Sequence, residues 1–293
     1  MKKLILVLFL SIVMSFLISC SGKKEENKEL HESLKNAQNM TLSIDKIENK
    51  YFLAQLPWPS PNKYKVFAKL GKEYCVGDYV DVYYKEIKKT NNEYDEIEAL
   101  DIKVSNFKLE PEKDYKPVIY LYPTKKINVT VTLDYNGVLT HTYPNYSNAW
   151  NVTAYPNGTI VDKNGIEYPY LFWEGNSKFE YDLTKGFCIP GDRTEDFLRD
   201  KLSYMGLNKK EIQDFTSFWV PFMKQNPYNR ICFQSSNYTE NAKLLVSPQP
   251  DSLLRVYMVF QPLNHYEKME EQKLRKFNRK GFAVVEWGGR VVR

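Results

Sequence analysis

The sequence predicts an α+β fold arranged as two bodies. Three observations carry this. Short alternating apolar runs broken by turn residues fill the segment from Thr41 to about Val104. Antiparallel-type strands continue from Val118 to Trp173. The apolar period then lengthens between Thr194 and Met223, before strands resume to the end of the chain. Strands, a helical pair and strands again place helices on one face of an antiparallel sheet. The 293 residues suffice for about two domains. A charged share of 26% is ordinary for folded chains, which excludes both disorder and a coiled coil.

The first element is an address. Lys2 and Lys3 precede an uncharged run from Leu4 to Ser19, which is shorter than the ~20 residues that span a bilayer. A basic start, a short apolar core and a small residue are the marks of an export signal, residues 1–19. Leu17-Ile18-Ser19-Cys20 resembles the lipobox of bacterial lipoproteins. The resemblance implies cleavage before Cys20, acylation of Cys20 with palmitate-type chains, and anchoring to a bacterial membrane. With Ser21 following, that is the outer membrane in a cell with two. Several acyl chains anchor stably where one does not. The net charge of +5 falls to about +3 without Lys2 and Lys3, too little for a nucleic-acid partner. Residues 20–40 then read as a polar tether.

Five strands are expected in the first body, residues 41–106: Thr41–Ile47, Tyr51–Leu56, Lys63–Leu70, Asp78–Tyr84 and Glu96–Lys103. Their breaks fall at turn residues such as Pro57-Trp58-Pro59-Ser60-Pro61 and Asn91-Asn92. Val76-Gly77-Asp78-Tyr79-Val80-Asp81-Val82 resembles the turn and strand of small OB-like barrels, so a small OB-like β-barrel is expected. Residues 107–116, rich in Glu, Asp and Pro, read as a linker.

The second body, residues 117–293, opens with strands at Val118–Tyr122, Ile127–Leu133, Val138–Tyr143, Trp150–Ala154 and Tyr168–Trp173. Asn136-Gly137 is a strong signal for a hairpin joining the second and third. Apolar faces at Phe197, Leu198, Leu202 and Met205, and at Ile212, Phe215, Phe218 and Trp219, predict helices over Thr194–Met205 and Lys209–Met223. Asp192 or Thr194 can cap the first and Asn208 the second. Strands resume at Arg230–Phe233, Lys243–Val246, Leu254–Gln261 and Phe282–Trp287.

Two segments invite a chemical reading. Trp173-Glu174-Gly175 and Glu286-Trp287-Gly288 each set a carboxylate beside an indole at a strand end. Poor solvation there raises a carboxyl pKa, and paired carboxylates among aromatics are how glycosidases act. Glu174 and Glu286 are therefore the candidate catalytic pair. The plainer reading makes them structural, one of them ion-paired with Arg255, Arg279 or Arg290. Trp58, Trp173, Trp287 and Arg255 are the candidate ligand contacts. Three histidines, no Cys-x-x-Cys and no phosphate or dinucleotide loop leave no expected metal or cofactor. Cys75, Cys188 and Cys232 remain after Cys20, and Cys188 and Cys232 either bridge or stay free.

The runs Lys116–Pro123, Tyr170–Gly175, Pro250–Val256 and Val285–Gly289 resemble a set found in uncharacterised bacterial proteins with no assigned activity. The expected function is thus a membrane-anchored, exported, non-enzymatic binding or envelope-associated protein whose partner is an envelope glycan or protein. The alternative is a carbohydrate-active or other hydrolase using Glu174 and Glu286.

Overall fold

The computed structural model describes residue 34 and residues 37–56, 62–68, 70–71, 74–76, 78–105, 109–111 and 113–293. Cys20, the lipobox and Trp58 lie outside the described residues. The chain divides into two compact units, Met1–Phe107 and Lys108–Arg293.

The first unit contains β1 (Gln38–Ile47), β2 (Phe52–Gln55), β3 (Lys63–Phe67), β4 (Tyr79–Tyr84), β5 (Ile87–Lys88), β6 (Asp95–Glu98) and β7 (Asp101–Val104). They form one seven-stranded mixed sheet in the order β5-β6-β3-β2-β1-β4-β7. Alternation buries Leu42, Ile44, Phe52, Ala54, Tyr64, Val66, Val80, Val82 and Ile97 as its core. The expected OB-like barrel is corrected here, because no closed barrel forms among the described residues. The segment read as one strand, Glu96–Lys103, breaks at Ala99 and Leu100. Its halves pair separately, β6 parallel to β3 and β7 antiparallel to β4. The amide of Leu100 donates to the Tyr83 carbonyl at the break.

In the second unit, β8 (Lys113–Tyr122), β10 (Val138–Tyr143), β14 (Leu171–Asn176), β15 (Lys185–Pro190), β16 (Tyr228–Gln234), β18 (Ser252–Leu263), β19 (Glu270–Glu271) and β20 (Ala283–Val291) make an eight-stranded mixed sheet. Its order is β10-β14-β8-β20-β18-β16-β15-β19. A five-stranded antiparallel sheet, β13-β12-β11-β9-β17, is built from β9 (Ile127–Tyr135), β11 (Trp150–Ala154), β12 (Ile160–Val161), β13 (Glu167–Tyr168) and β17 (Ala242–Ser247). One core joins the two sheets. It takes Ile119, Leu121, Leu171, Trp173, Tyr257, Val259 and Val284 from the larger sheet, and Val129, Val131, Trp150, Val152 and Ile160 from the smaller.

Helices α1 (Thr194–Met205) and α2 (Lys209–Met223) pack on the other face of the larger sheet. There Phe215 meets Trp287 and Trp219 meets Phe260, residues that alternate with those facing the core. Asn208 caps α2 in a reciprocal capping box with Glu211, whereas α1 has no side-chain cap. A six-residue helix, α3 (Ser236–Asn241), precedes β17. Strand therefore dominates, and the two longer helices form only one small layer. The fold class is mostly β, not the α+β expected from sequence.

Two further expectations change. Asn136-Gly137 does not close a hairpin, because β9 pairs with β11 and β17 while β10 pairs with β14 in the other sheet. The turn carries the chain between sheets, its Asn136 amide bound to the Asn241 carbonyl. Residues Lys113 to Lys116, read as linker, already belong to β8. Cys75, Cys188 and Cys232 are all free thiols.

Candidate functional site

Parallel pairing of β18 with β20 sets Arg255 directly across from Glu286. The guanidinium Nε lies 2.6 Å from Glu286 Oε2, and Nη1 donates to the Ala242 carbonyl at 2.6 Å. Trp173 Nε1 donates to Glu286 Oε1 at 3.2 Å, and the Tyr238 ring lies 4.6 Å from the guanidinium carbon. Glu286 is fully buried and Arg255 nearly so. The negative charge of Glu286 pushes the Arg255 guanidinium up against the opposing effect of burial. Three sequence candidates, Trp173, Arg255 and Glu286, thus meet in one sealed cluster between the sheets.

Glu174 and Trp287 lie elsewhere. Glu174 is 6% exposed, with Lys113 Nζ at 2.8 Å and His141 Nδ1 at 3.9 Å. Burial pushes its carboxyl above the ordinary carboxylate range, opposed by Lys113, His141 and the Lys116 amide. Lys113 and Asp114 are successive strand residues, so their side chains take opposite faces. Glu174 follows Lys113, whereas Glu286 shares the Asp114 face. The two carboxylates do not flank a common cleft. Trp287 is turned toward α2, its ring 5.1 Å from Phe215 and 5.5 Å from Lys116 Nζ.

A second buried polar network was not visible in the sequence. Asp114 is fully buried and accepts from Tyr135, Tyr257 and Tyr181 hydroxyls and from Arg290, whose Nε lies 2.9 Å away. Arg290 also donates to the carbonyls of Ser177 (3.2 Å) and Phe179 (3.0 Å) and to Ser177 Oγ (2.8 Å). Burial pushes the Asp114 carboxyl up, while Arg290, Tyr135 and Tyr257 pull it down. Burial and the adjacent carboxylate both push the Tyr257 hydroxyl up, so it stays a donor. The Asp114 and Arg290 charges are thus paired and hydrogen-bonded within the core.

Open space lies at the surface. A cleft of about 510 Å³ is lined by Pro144, Trp150, Asn151, Asn164, Ile166 and Tyr168, among others. A second, of about 440 Å³, is bordered by charged groups including Asp182, Lys185, Glu270, Glu271 and Lys273. Among the described residues no group of three His, Cys, Asp or Glu is placed to hold a metal ion. No helix among them is long and apolar enough to cross a membrane.

No protein-family model matches the chain. No solved structure matches it either. A protein of Butyrivibrio fibrisolvens, described as the "uncharacterized protein in bglA 3'region", is 48% identical over 66 residues, which are 22% of this chain and 68% of that one. The chain belongs to the same family as this uncharacterised bacterial protein.

Proposed function

We propose that this protein is an exported lipoprotein, anchored through Cys20, that binds a ligand at the cell envelope without transforming it. The observation that carries the non-enzymatic reading is the fate of the carboxylates. Glu286 is paired with Arg255 in the core, and Glu174 sits on the other face of the sheet with Lys113. A glycosidase needs two carboxyls about 5–9.5 Å apart across an open site, which this arrangement does not offer. The anchoring reading rests on the basic start, the apolar core and Leu17-Ile18-Ser19-Cys20. An outer-membrane location in a two-membrane cell follows from Ser21 and is part of the same proposal.

The test is expression of the full chain in bacteria fed an alkyne fatty acid. Label in the membrane fraction that disappears in Cys20→Ala supports the anchor. An unlabelled protein, cleaved and released, would overturn it.

A further inference from the structure

The cleft of about 510 Å³ has a definite origin. Strand β12 has two residues and pairs with β11 only at Thr153 and Ala154. Beyond that point the chain turns away through Asp162-Lys163-Asn164-Gly165, leaving a gap beside Trp150, Asn151 and Val152 of β11. The loop that carries Asn145 and Ser147 walls the other side. Trp150 lies beneath the cleft, almost wholly buried, with its Nε1 donating to the Pro144 carbonyl at 2.8 Å and its ring 4.5 Å from that of Tyr146.

The exposed chemistry of the lining is that of amides and hydroxyls, with Ile166 as its exposed apolar residue. Asn145, Ser147, Asn151 and Asn164 supply hydrogen-bonding groups, and all four are exposed. Asp162 stays ionised, because the hydrogen bonds it accepts lower its pKa. Its carboxylate accepts from the amides of Asn164 (2.8 Å) and Ile166 (2.9 Å), the Tyr168 hydroxyl (3.2 Å) and Asn164 Nδ2 (3.4 Å). Lys163 is the other charged residue of the lining.

Through Asn151 the cleft adjoins the outer face of the five-stranded sheet, which farther along also carries the Lys243–Asp134 ion pair and the exposed Leu245. On the outer face of the five-stranded sheet, Thr130 Oγ1 donates to Asn151 Oδ1 at 2.9 Å, and Thr153 Oγ1 donates to Asn128 Oδ1 at 3.0 Å. Each hydrogen bond joins the neighbouring strands β9 and β11. Asn151 belongs to both the cleft and these rungs, and neither rung carries a charge.

We propose that this cleft and the adjoining Thr–Asn face bind a neutral polysaccharide, one end in the cleft and the chain laid along the sheet. An uncharged, hydroxyl-rich polymer matches a lining of amides and hydroxyls whose two charges, Asp162 and Lys163, are opposite in sign. The inference rests on the binding reading above and names its ligand class.

The test is calorimetric titration of the full chain in detergent with the tetrasaccharides of cellulose, starch, mannan, xylan and chitin. Galacturonate oligomers serve as a charged control. At least one neutral tetrasaccharide should bind. Ile166→Arg, which fills the cleft, and Asn151→Ala, which removes the shared amide, should each weaken that binding about tenfold or more, about 1.4 kcal/mol. Asn164→Ala and Ser147→Ala, at exposed positions, give the same readout without risk to the fold. Binding that survives all four substitutions would overturn the site while leaving a binding protein. Failure of every neutral tetrasaccharide, or preference for the galacturonate series, would overturn the ligand class. Failure of the anchoring reading registers separately, as a wild-type chain that takes up no acyl label.

Discussion

Arg255 and Glu286 are register partners on parallel strands, joined at 2.6 Å with almost no exposure on either side. Their attraction offsets a large desolvation cost, so the pair is weak evidence for net stability, yet breaking it is expensive. Arg255→Met alone leaves Glu286 buried without its cation and is expected to cost about 3–5 kcal/mol. Arg255→Met with Glu286→Leu should recover most of that loss. Urea unfolding of the three proteins checks this. A double variant no more stable than Arg255→Met would mean that the lost packing, not the stranded charge, sets the cost.

The Asp114 network predicts a ranking. Tyr257 is fully buried and its hydroxyl makes a close contact with Asp114, whereas the Tyr181 hydroxyl reaches the same oxygen only at 3.4 Å. A hydrogen bond to a buried charge is worth about 1.5–3 kcal/mol, and a long one much less. Tyr257→Phe should therefore destabilise the protein by about that amount, and Tyr181→Phe by clearly less. Equal losses from the two variants in the same urea titrations would contradict the geometry.

What the sequence made legible was local. Period marked the helical segments Thr194–Met205 and Lys209–Met223, and the Asn208 cap marked the start of the second, whereas neither Asp192 nor Thr194 caps the first. Alternation marked Tyr79–Tyr84 and Val138–Tyr143. Pairing between distant segments was not written locally. Asn136-Gly137 has every mark of a hairpin, but β9 has both edges taken by β11 and β17, the latter a hundred residues or so downstream. Asp114 sits among Glu110, Glu112 and Lys116 and so reads as solvated linker. Its burial is decided by Arg290, 176 residues away. The Arg255–Glu286 pair was one of several options open in the sequence, and the other two arginines go elsewhere, Arg279 to Glu211 and Arg290 to Asp114.

Two glycines separate close packing from backbone strain. A Cβ on Gly288 would lie 2.9 Å from Pro117 Cα, backbone that cannot step aside without moving β8. Gly165 has φ +80° in the turn after Asp162, with nothing within 4 Å of an added Cβ. Gly165→Ala should cost only the left-handed penalty, about 1–2 kcal/mol. Gly288→Ala adds overpacking of the core, typically about 1–3 kcal/mol, although its own φ is unremarkable. Differential scanning calorimetry of both variants reads this. The proposed cleft gives a further contrast, since Gly165→Ala lies beside it and Gly288→Ala does not.

Glu174 gives the protein a testable pH dependence. Burial holds its carboxyl above the ordinary range despite Lys113, so the folded state binds this proton more tightly than the unfolded state. Stability linked to the group is then fully present below the unfolded pKa of about 4.3. It declines as pH rises from there toward the folded value. Glu174→Gln removes the titration, so the stability of wild type minus that of the variant should fall with rising pH across that window and level off above it. His141 stands 3.9 Å away, so both proteins are compared in a His141→Asn background to keep the imidazole out of the slope. A difference that rises with pH instead would mean that the Lys113 ion pair outweighs desolvation. Glu174 would then be an ordinary paired carboxylate, ionised throughout the physiological range.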